Sequence, residues 1–596
     1  KLNRDHWRVV TADNVTLVFG TTPEARLADP SDPRRIYRWS LTERRDDRGN
    51  LVRYGYARED ADGVDLAAPG EQGRARTGHY LKVVHWGNLV AAPAVEADWV
   101  FKLVFDYGDH RPTPALAPDQ RWPARADSFS TYRSGFEIRA HRLCHRVLLF
   151  HHVVGTAAAP GLGAEPVLVS SLAFDYDHDP ALTHLTRIVR TGHGADGPLD
   201  FPATELTWTQ GGIEALVRTI DDPDHLRNLP AGIDGATAWV DLRGDGLAGA
   251  LYQSATGWLF KRNLGAGRMA PLELLADAPV PGPGGDVQFA DPEHRGQTAL
   301  VTWSGATAGY RYRGPGGWEP LRPFDAVPVR GDEAQARFLD VDGDGLADLV
   351  ITEDEVLRVY PSLGARGFGP GQAVPYPTDA GGAPTFVWSD RDQSIFLADM
   401  TGDGLTDVVR IRNGAVCYWP NLGHGRFGAR VVMGDAPVFD HDLHFDPLRV
   451  RLADLDGSGP SDLVYLGAGV GGVRVWRNLA GNRWAAPEAV SAAPLMDTLV
   501  GVAIVDLEAD GTSCLVWSAG HAVDGRAPIR YVRLSSGRKP HLLETIDNRL
   551  GLVTRFTYRA STVGFIDDEQ HGRPWGTRLP FPVHVVERVE TYDYIS

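Results

Sequence analysis

Short apolar runs recur along the whole chain, each cut off by Gly, Pro, Asp or Asn. In the first two hundred or so residues, Trp7-Arg8-Val9-Val10, Thr16-Leu17-Val18-Phe19 and Val100-Phe101-Lys102-Leu103-Val104-Phe105 read as half-buried strands, and Val147-Leu148-Leu149-Phe150 as a buried one. A period of two puts alternate side chains on opposite faces of a strand, and runs bounded by turn residues predict antiparallel β structure. No segment of a dozen residues carries a convincing helical period.

From about residue 213 to 540 the pattern becomes periodic. Aspartates at 241, 291, 340, 399, 454 and 506 each open an acidic, glycine-rich loop, at spacings of 50, 49, 59, 55 and 52 residues. A short strand precedes the loop, as in Arg337-Phe338-Leu339 or Val450-Arg451-Leu452-Ala453. A second follows, as in Leu349-Val350-Ile351 or Val408-Val409-Arg410-Ile411. A third carries an aromatic, as in Val416-Cys417-Tyr418-Trp419 or Val473-Arg474-Val475-Trp476. Then comes an Asn-Leu-Gly-type turn (Asn263-Leu264-Gly265, Asn421-Leu422-Gly423), after which Phe368, Phe427 or Trp484 is expected to open a fourth strand. Four strands per repeat make one propeller blade, whose faces are buried only by neighbouring blades around an axis. Six units predict six blades, or five if the degenerate unit at Asp291 is not a true blade. The fold class is therefore all-β. A strand-rich region without regular repeats (1–212) precedes the propeller (213–540), and a last region (541–596) returns to the style of the first, so the propeller reads as an insertion in a larger β domain.

Composition narrows the function classes. The net charge of -17 argues against nucleic acid as a partner, which needs a basic surface. No apolar run is long enough for a membrane span. Cys144, Cys417 and Cys514 are far apart and form no CxxC pair, which argues against a disulfide framework or thiolate zinc site. The chain begins at Lys1 without a methionine and stops at Ser596 in mid-pattern, so further chain is expected at both ends.

The loops carry the candidate chemistry. In Asp340-Val341-Asp342-Gly343-Asp344-Gly345-Leu346-Ala347-Asp348, oxygens at positions 1, 3, 5, 7 and 9 can wrap a hard cation, and the glycines permit the sharp turn. All-oxygen ligands suit Ca2+ in a structural role, with Asp340, Asp342, Asp344 and Asp348 as ligands. Looser sets are Asp399, Asp403 and Asp407, with Thr401 at position 3, and Asp454, Asp456 and Asp462, with Ser458 at position 5. The loop at Asp241 has Arg243 at position 3 and Gly249 at position 9, and the loop at Asp506 ends in Cys514; both are poor sites. The competing reading is that these aspartates cap backbone amides with no metal at all.

Other clusters carry less. His141, His145, His151 and His152 surround Cys144, and a strand would put His141 and His145 on one face; surface histidines are the expected reading. Asp440-His441-Asp442-Leu443-His444 is expected to be a solvated loop between blades. No GxSxG elbow, HExxH helix, Walker loop or GxGxxG after a strand occurs, so nothing makes a positive case for an enzyme.

Several segments outside the loops carry a family resemblance. They are Ala25-Arg26-Leu27-Ala28-Asp29-Pro30-Ser31-Asp32-Pro33 with Tyr37-Arg38-Trp39, and Asp46-Asp47-Arg48-Gly49-Asn50-Leu51-Val52-Arg53-Tyr54-Gly55-Tyr56, which looks like a degenerate YD (Rhs-type) repeat. Next are Ser134-Gly135-Phe136-Glu137-Ile138-Arg139 with Arg142-Leu143-Cys144, and Gly572-Arg573-Pro574-Trp575-Gly576-Thr577-Arg578-Leu579-Pro580-Phe581-Pro582-Val583-His584-Val585-Val586. With the propeller they resemble the B component of insecticidal toxin complexes (Tc toxins) and the N-terminal part of the Salmonella virulence protein SpvB, the propeller being of FG-GAP/VCBS type. The resemblance implies a secreted toxin part, assembled in the bacterial cytoplasm. It implies one end of a hollow β shell around a cytotoxic C-terminal cargo (the C component), with a propeller that docks on a pentameric A-component channel. It implies no catalysis by these residues, since the family's protease and toxin lie further along. A calcium-stabilised extracellular adhesion or carbohydrate-binding propeller and a propeller lyase or glycosidase are the alternatives.

Overall fold

The computed structural model describes residues 6–112, 116–153, 165–220, 237–254, 257–275, 287–302, 308–314, 317–327, 336–353, 356–375, 395–423, 425–441, 445–467, 472–491, 493, 501–518, 529–579 and 581–594. Two compact units emerge. The first comprises Lys1–Thr207, Thr545–Arg555 and Glu590–Ser596; the second comprises Trp208–Glu544 and Phe556–Val589. Residues 556–589, which the sequence assigns to the region after the propeller, thus group with the propeller.

The first unit is built on one large antiparallel sheet that runs from Trp7–Val10 through Thr16–Phe19, Leu41–Arg45, Leu51–Arg58, His79–Asn88, Trp99–Asp106, Arg146–His151, Val167–Asp177 and His184–Gly194. Strands from the far end of the chain extend it, with Thr545 opposite Arg555. Most strand residues are half-buried, and the best-buried apolar group is Val104, Leu148 and Phe150. The histidine-rich stretch departs from expectation. The strand Ile138–Ala140 ends before His141, so His141 and His145 lie in irregular chain and share no strand face.

The second unit contains six four-stranded antiparallel sheets, and the unit at Asp291 is a true blade. Blade 1 is Thr237–Val240, Gly249–Ser254, Gly257–Lys261 and Glu273–Leu275; blade 2 is Val287–Ala290, Ala299–Thr302, Gly309–Arg311 and Arg322–Pro323. Blade 3 is Ala336–Leu339, Asp348–Thr352, Val356–Tyr360 and Gln372–Pro375; blade 4 is Ile395–Ala398, Asp407–Arg412, Ala415–Trp419 and Val431–Val432. Blade 5 is Val450–Ala453, Asp462–Leu466, Val473–Trp476 and Glu488–Ala489. Blade 6 takes three strands, Val502–Val505, Cys514–Ser518 and Ile529–Arg533, from the end of the ring and its fourth, Arg218–Ile220, from before blade 1. One blade built from both ends of the repeat region closes the ring without a covalent link.

Second strands are the most buried, as in Asp462–Leu466, and their side chains fill the spaces between blades. Met400, Ile411, Tyr418, Tyr465 and Trp476 join blades 4 and 5, and Leu455, Val475, Trp517 and Val532 join blades 5 and 6. Ala250, Tyr252, Cys514, Val516 and Ile220 fill the seam between blades 6 and 1. Phe368, Phe427 and Trp484 do not open fourth strands. Each pairs back with the residue that starts its turn, at Ser362, Asn421 and Asn478, and so closes the turn instead. One helix that the sequence did not announce, Ser561–Gln570, lies in the segment that returns to the propeller. Among the described residues no helix is long and apolar enough to cross a membrane.

Candidate functional site

In every blade the acidic loop connects the first strand to the second, and its leading aspartate does the same work. Its carboxylate accepts the amide of the sixth loop residue: Gly246 (2.8 Å), Gly296 (2.7 Å), Gly345 (2.9 Å), Gly404 (2.7 Å), Gly459 (3.3 Å) and Gly511 (2.8 Å). This bond persists in the degenerate loops at Asp241, Asp291 and Asp506. The leading aspartate is therefore first an organiser of a tight turn. Gly345 and Gly404 have φ of 87° and 83°, a region that side chains resist.

The ninth residue has a second structural role where it is aspartate. Asp348 accepts from Val341 (3.0 Å) and Ser362 (2.7 Å), Asp407 from Met400 (2.9 Å) and Asn421 (2.8 Å), and Asp462 from Leu455 (3.2 Å) and Asn478 (2.8 Å). It ties the loop to the turn after the third strand. That turn then reaches the neighbouring blade. Asn263 Nδ2 donates to the Asp506 carbonyl (2.8 Å), Asn421 Nδ2 to the Asp340 carbonyl (3.4 Å), and Asn478 Nδ2 to the Met400 carbonyl (3.1 Å). Ser535 makes an equivalent link to the Leu455 carbonyl, and in blade 2 Gln297, from the acidic loop itself, reaches the Leu242 carbonyl. Loop and turn together form a clasp between adjacent blades.

Metal-like geometry is unevenly distributed. Oxygens of Asp340, Asp342 and Asp348 lie within 4.8 Å of one another, as do those of Asp454, Asp456 and Asp462. Asp344 is outside its group, exposed, and accepts the amide of Leu346 (2.7 Å). Asp403 likewise accepts from Leu405 (2.9 Å), and Asp399, Asp403 and Asp407 form no three-carboxylate group among the described residues, Thr401 standing at position 3. Burial pushes the Asp348 carboxyl up to about 6; amide bonds from Ser362 and Val341 recover only part of this, and the charges of Asp342 and Asp340 add to the rise. Burial also raises Asp407 well above the usual carboxylate range. Uncompensated acid of this kind suits a cation. In other loops the cation is an arginine: Arg262 meets Asp245 (2.8 Å), Arg477 meets Asp462 (2.9 Å), and Arg533 meets Glu508 (2.9 Å).

The first unit holds a buried ionic network that sequence reasoning missed. Arg142 pairs with Glu59, both fully buried, Arg139 with Glu71, and Arg74 with Glu137 (2.9 Å). His141 lies between Glu71 (3.1 Å) and Glu59 (3.7 Å) and is 2% exposed, so it is no surface histidine. His152 is buried as well, whereas His145 and His151 are half-buried. Burial would raise the Glu71 carboxyl, but hydrogen bonds from His141 and Arg139 outweigh it and hold it at about 2. The pairing partners are some 70 residues apart, so no local spacing could announce them. None of Cys144, Cys417 and Cys514 is in a disulfide. Asp440 and His441 are exposed, and residues 442–444 lie outside the described residues.

Three family models match the chain: the Salmonella virulence plasmid 65kDa B protein (SpvB) over residues 1–153, an FG-GAP-like repeat over 340–409, and the insecticide toxin TcdB middle/N-terminal region over 477–596. Mono(ADP-ribosyl)transferase SpvB of Salmonella typhimurium is 38% identical over 217 residues, which are 34% of this chain and 35% of that protein. The Tc holotoxin pore of Photorhabdus luminescens superposes with a TM-score of 0.85 at 28% identity, covering 99% of this chain and 28% of that one. The TcdB2-TccC3 crystal structure gives 0.75 at 27% identity, covering 99% and 29%. The chain thus spans about a third or less of the length of these proteins. Within that span it resembles the Tc toxin B component from end to end, with an SpvB-type region first, an FG-GAP-type six-bladed propeller next and the start of a TcdB middle region last.

Proposed function

We propose that this chain is the non-enzymatic shell and gate portion of a Tc-type toxin complex. It encloses a cytotoxic C-terminal cargo and docks through the propeller on a pentameric A-component channel, into which the unfolded cargo passes. The complex is secreted after assembly in the bacterial cytoplasm. The observation that carries this is the continuous match of 99% of the chain to the Tc holotoxin pore at 28% identity, with all three regions in one order. A physical feature supports it. The ring closes through the strand Arg218–Ile220 and the apolar seam around Ala250 and Val516, not through a covalent bond. Such a ring can change between two packings under the bias of a partner. The transferase activity named for the SpvB relatives is not part of the proposal. The test is to mix the full-length protein carrying this chain with its A-component pentamer and image the complex. Binding that is lost when residues 213–540 are removed supports the docking role; binding that survives their removal sinks it.

We also infer that the Asp340 loop takes a structural Ca2+ held by Asp340, Asp342 and Asp348. Its clustered carboxylates and the raised Asp348 support this. A bound ion would add about 2.7 kcal/mol of stability at a hundredfold excess over its Kd. Chelation is therefore expected to lower the melting temperature by a few degrees, and an unchanged value removes the ion.

A further inference from the structure

We propose that Arg477 and Lys539 stand in for the metal ion in the acidic loop of blade 5. The blade 5 loop repeats the acidic spacing of the Asp340 loop, and its Asp454, Asp456 and Asp462 come within 4.8 Å of one another. The space between them is claimed from inside the protein. Arg477 Nη1 is 2.9 Å from Asp462 and 3.6 Å from Asp456. A guanidinium at that range takes up the lone pairs an ion would need, and its fixed charge repels a divalent cation. Lys539 comes from the end of blade 6. Its ammonium lies where a Cβ on Gly457 would be, and its charge acts on Asp454. Three carboxylates therefore face two cationic side chains, and the donor set does not fit a calcium ion.

The placement of Arg477 is fixed by the clasp. It immediately precedes Asn478, whose amide bonds to Asp462 (2.8 Å). Blades 3 and 4 have the same bond, from Ser362 to Asp348 and from Asn421 to Asp407, but the preceding residues are Pro361 and Pro420. Blade 1 again has an arginine, Arg262, before Asn263, and it pairs with Asp245. The residue before the turn thus decides whether a blade brings its own cation to its loop. Arginine supplies one, and proline does not.

The inference rests on the carboxylate cluster of blade 5 and its cationic neighbours, not on whether the Asp340 loop holds calcium. Native mass spectrometry with calcium chloride up to about 1 mM, the weak end of extracellular calcium modules, counts the ions bound. Asp456→Asn in the otherwise unchanged chain is expected to leave that number unchanged. Arg477→Gln with Lys539→Gln is expected to add one ion, and further substitution Asp456→Asn to remove it. An ion lost from the single Asp456→Asn variant overturns the proposal, as does a folded double variant, checked by circular dichroism, that gains none. If the double variant does not fold, the single variant decides. A parent chain that binds no calcium ends the Asp340 reading alone, since the double variant must still gain its ion.

Discussion

At the scale of single residues, the acidic loops are sites of stored electrostatic cost. Burial, aided by the charge of Asp510, pushes the Asp506 carboxyl up to about 7, and burial with Asp241 pushes Asp245 up to about 6 despite Arg262. In the unfolded chain both titrate near about 3.9. Between those limits the folded state binds more protons, so stability falls as pH rises through about 6 to 7. Glu71 and Glu96, both held at about 2, act in the opposite sense, but their stabilisation is lost only as pH drops below about 4. The propeller is therefore expected to melt higher at pH 5.5 than at pH 8, by an amount that shrinks in Asp506→Asn. A melting temperature that falls steadily on acidification through this window contradicts the buried-carboxylate account. The loops themselves were legible because Asp-x-Asp-Gly-x-Gly is a local spacing. Their partners were not, because Arg477 or Lys539 reaches a loop through the fold and not through the sequence.

At the scale of elements, each blade is a complete sheet only in company. The turn after the third strand donates its Asn side chain to the previous blade, so one residue serves two elements. Asn478 is 1% exposed; it accepts the Gly481 amide and donates to the carbonyls of Met400 and Ser461. Asn478→Ala leaves buried groups unmet, each at a cost of about 1–3 kcal/mol. Urea denaturation should show a loss of that order, and a change under 0.5 kcal/mol would mean that water replaces the clasp. The blade repeat was readable from strand periodicity, but the degenerate unit at Asp291 allowed five or six blades, and only its four-stranded sheet decides for six. The fourth strand of blade 6 was not: Arg218–Ile220 pairs with Ile529–Arg533 about three hundred residues away, and three residues carry no period. The helix Ser561–Gln570 was equally silent, since it holds Gly564 and has no side-chain cap; its stability comes from what it packs on.

At the scale of the whole propeller, that helix and the chain after it act as a strap over the closing seam. Thr562 Oγ1 donates to the Ala509 carbonyl of blade 6 (2.6 Å), and Ile566 is buried against Ala509 and against Leu247 of blade 1. Glu569 pairs with Arg262 (2.6 Å) and Arg243 (3.0 Å) of blade 1, and Arg578 bonds Gln297 of blade 2. His584 reaches the Asp510 carbonyl of blade 6 (2.9 Å). One segment thus touches the last blade and the first two, where the ring has only non-covalent packing to hold it. Blades 3 to 5 lie outside its reach among these contacts. Ile566→Ala should cost about 2–4 kcal/mol through the cavity it leaves, and pairing it with Glu569→Gln should loosen the seam further. The effect should be local. Hydrogen exchange is expected to quicken at Ala266, whose amide bonds to Glu508 across the seam, while Gly434 and Trp484 at the boundary of blades 4 and 5 keep their protection. Uniform acceleration at both boundaries would mean that the ring loosens as one cooperative body, and the segment would then be a general brace and not a seam lock.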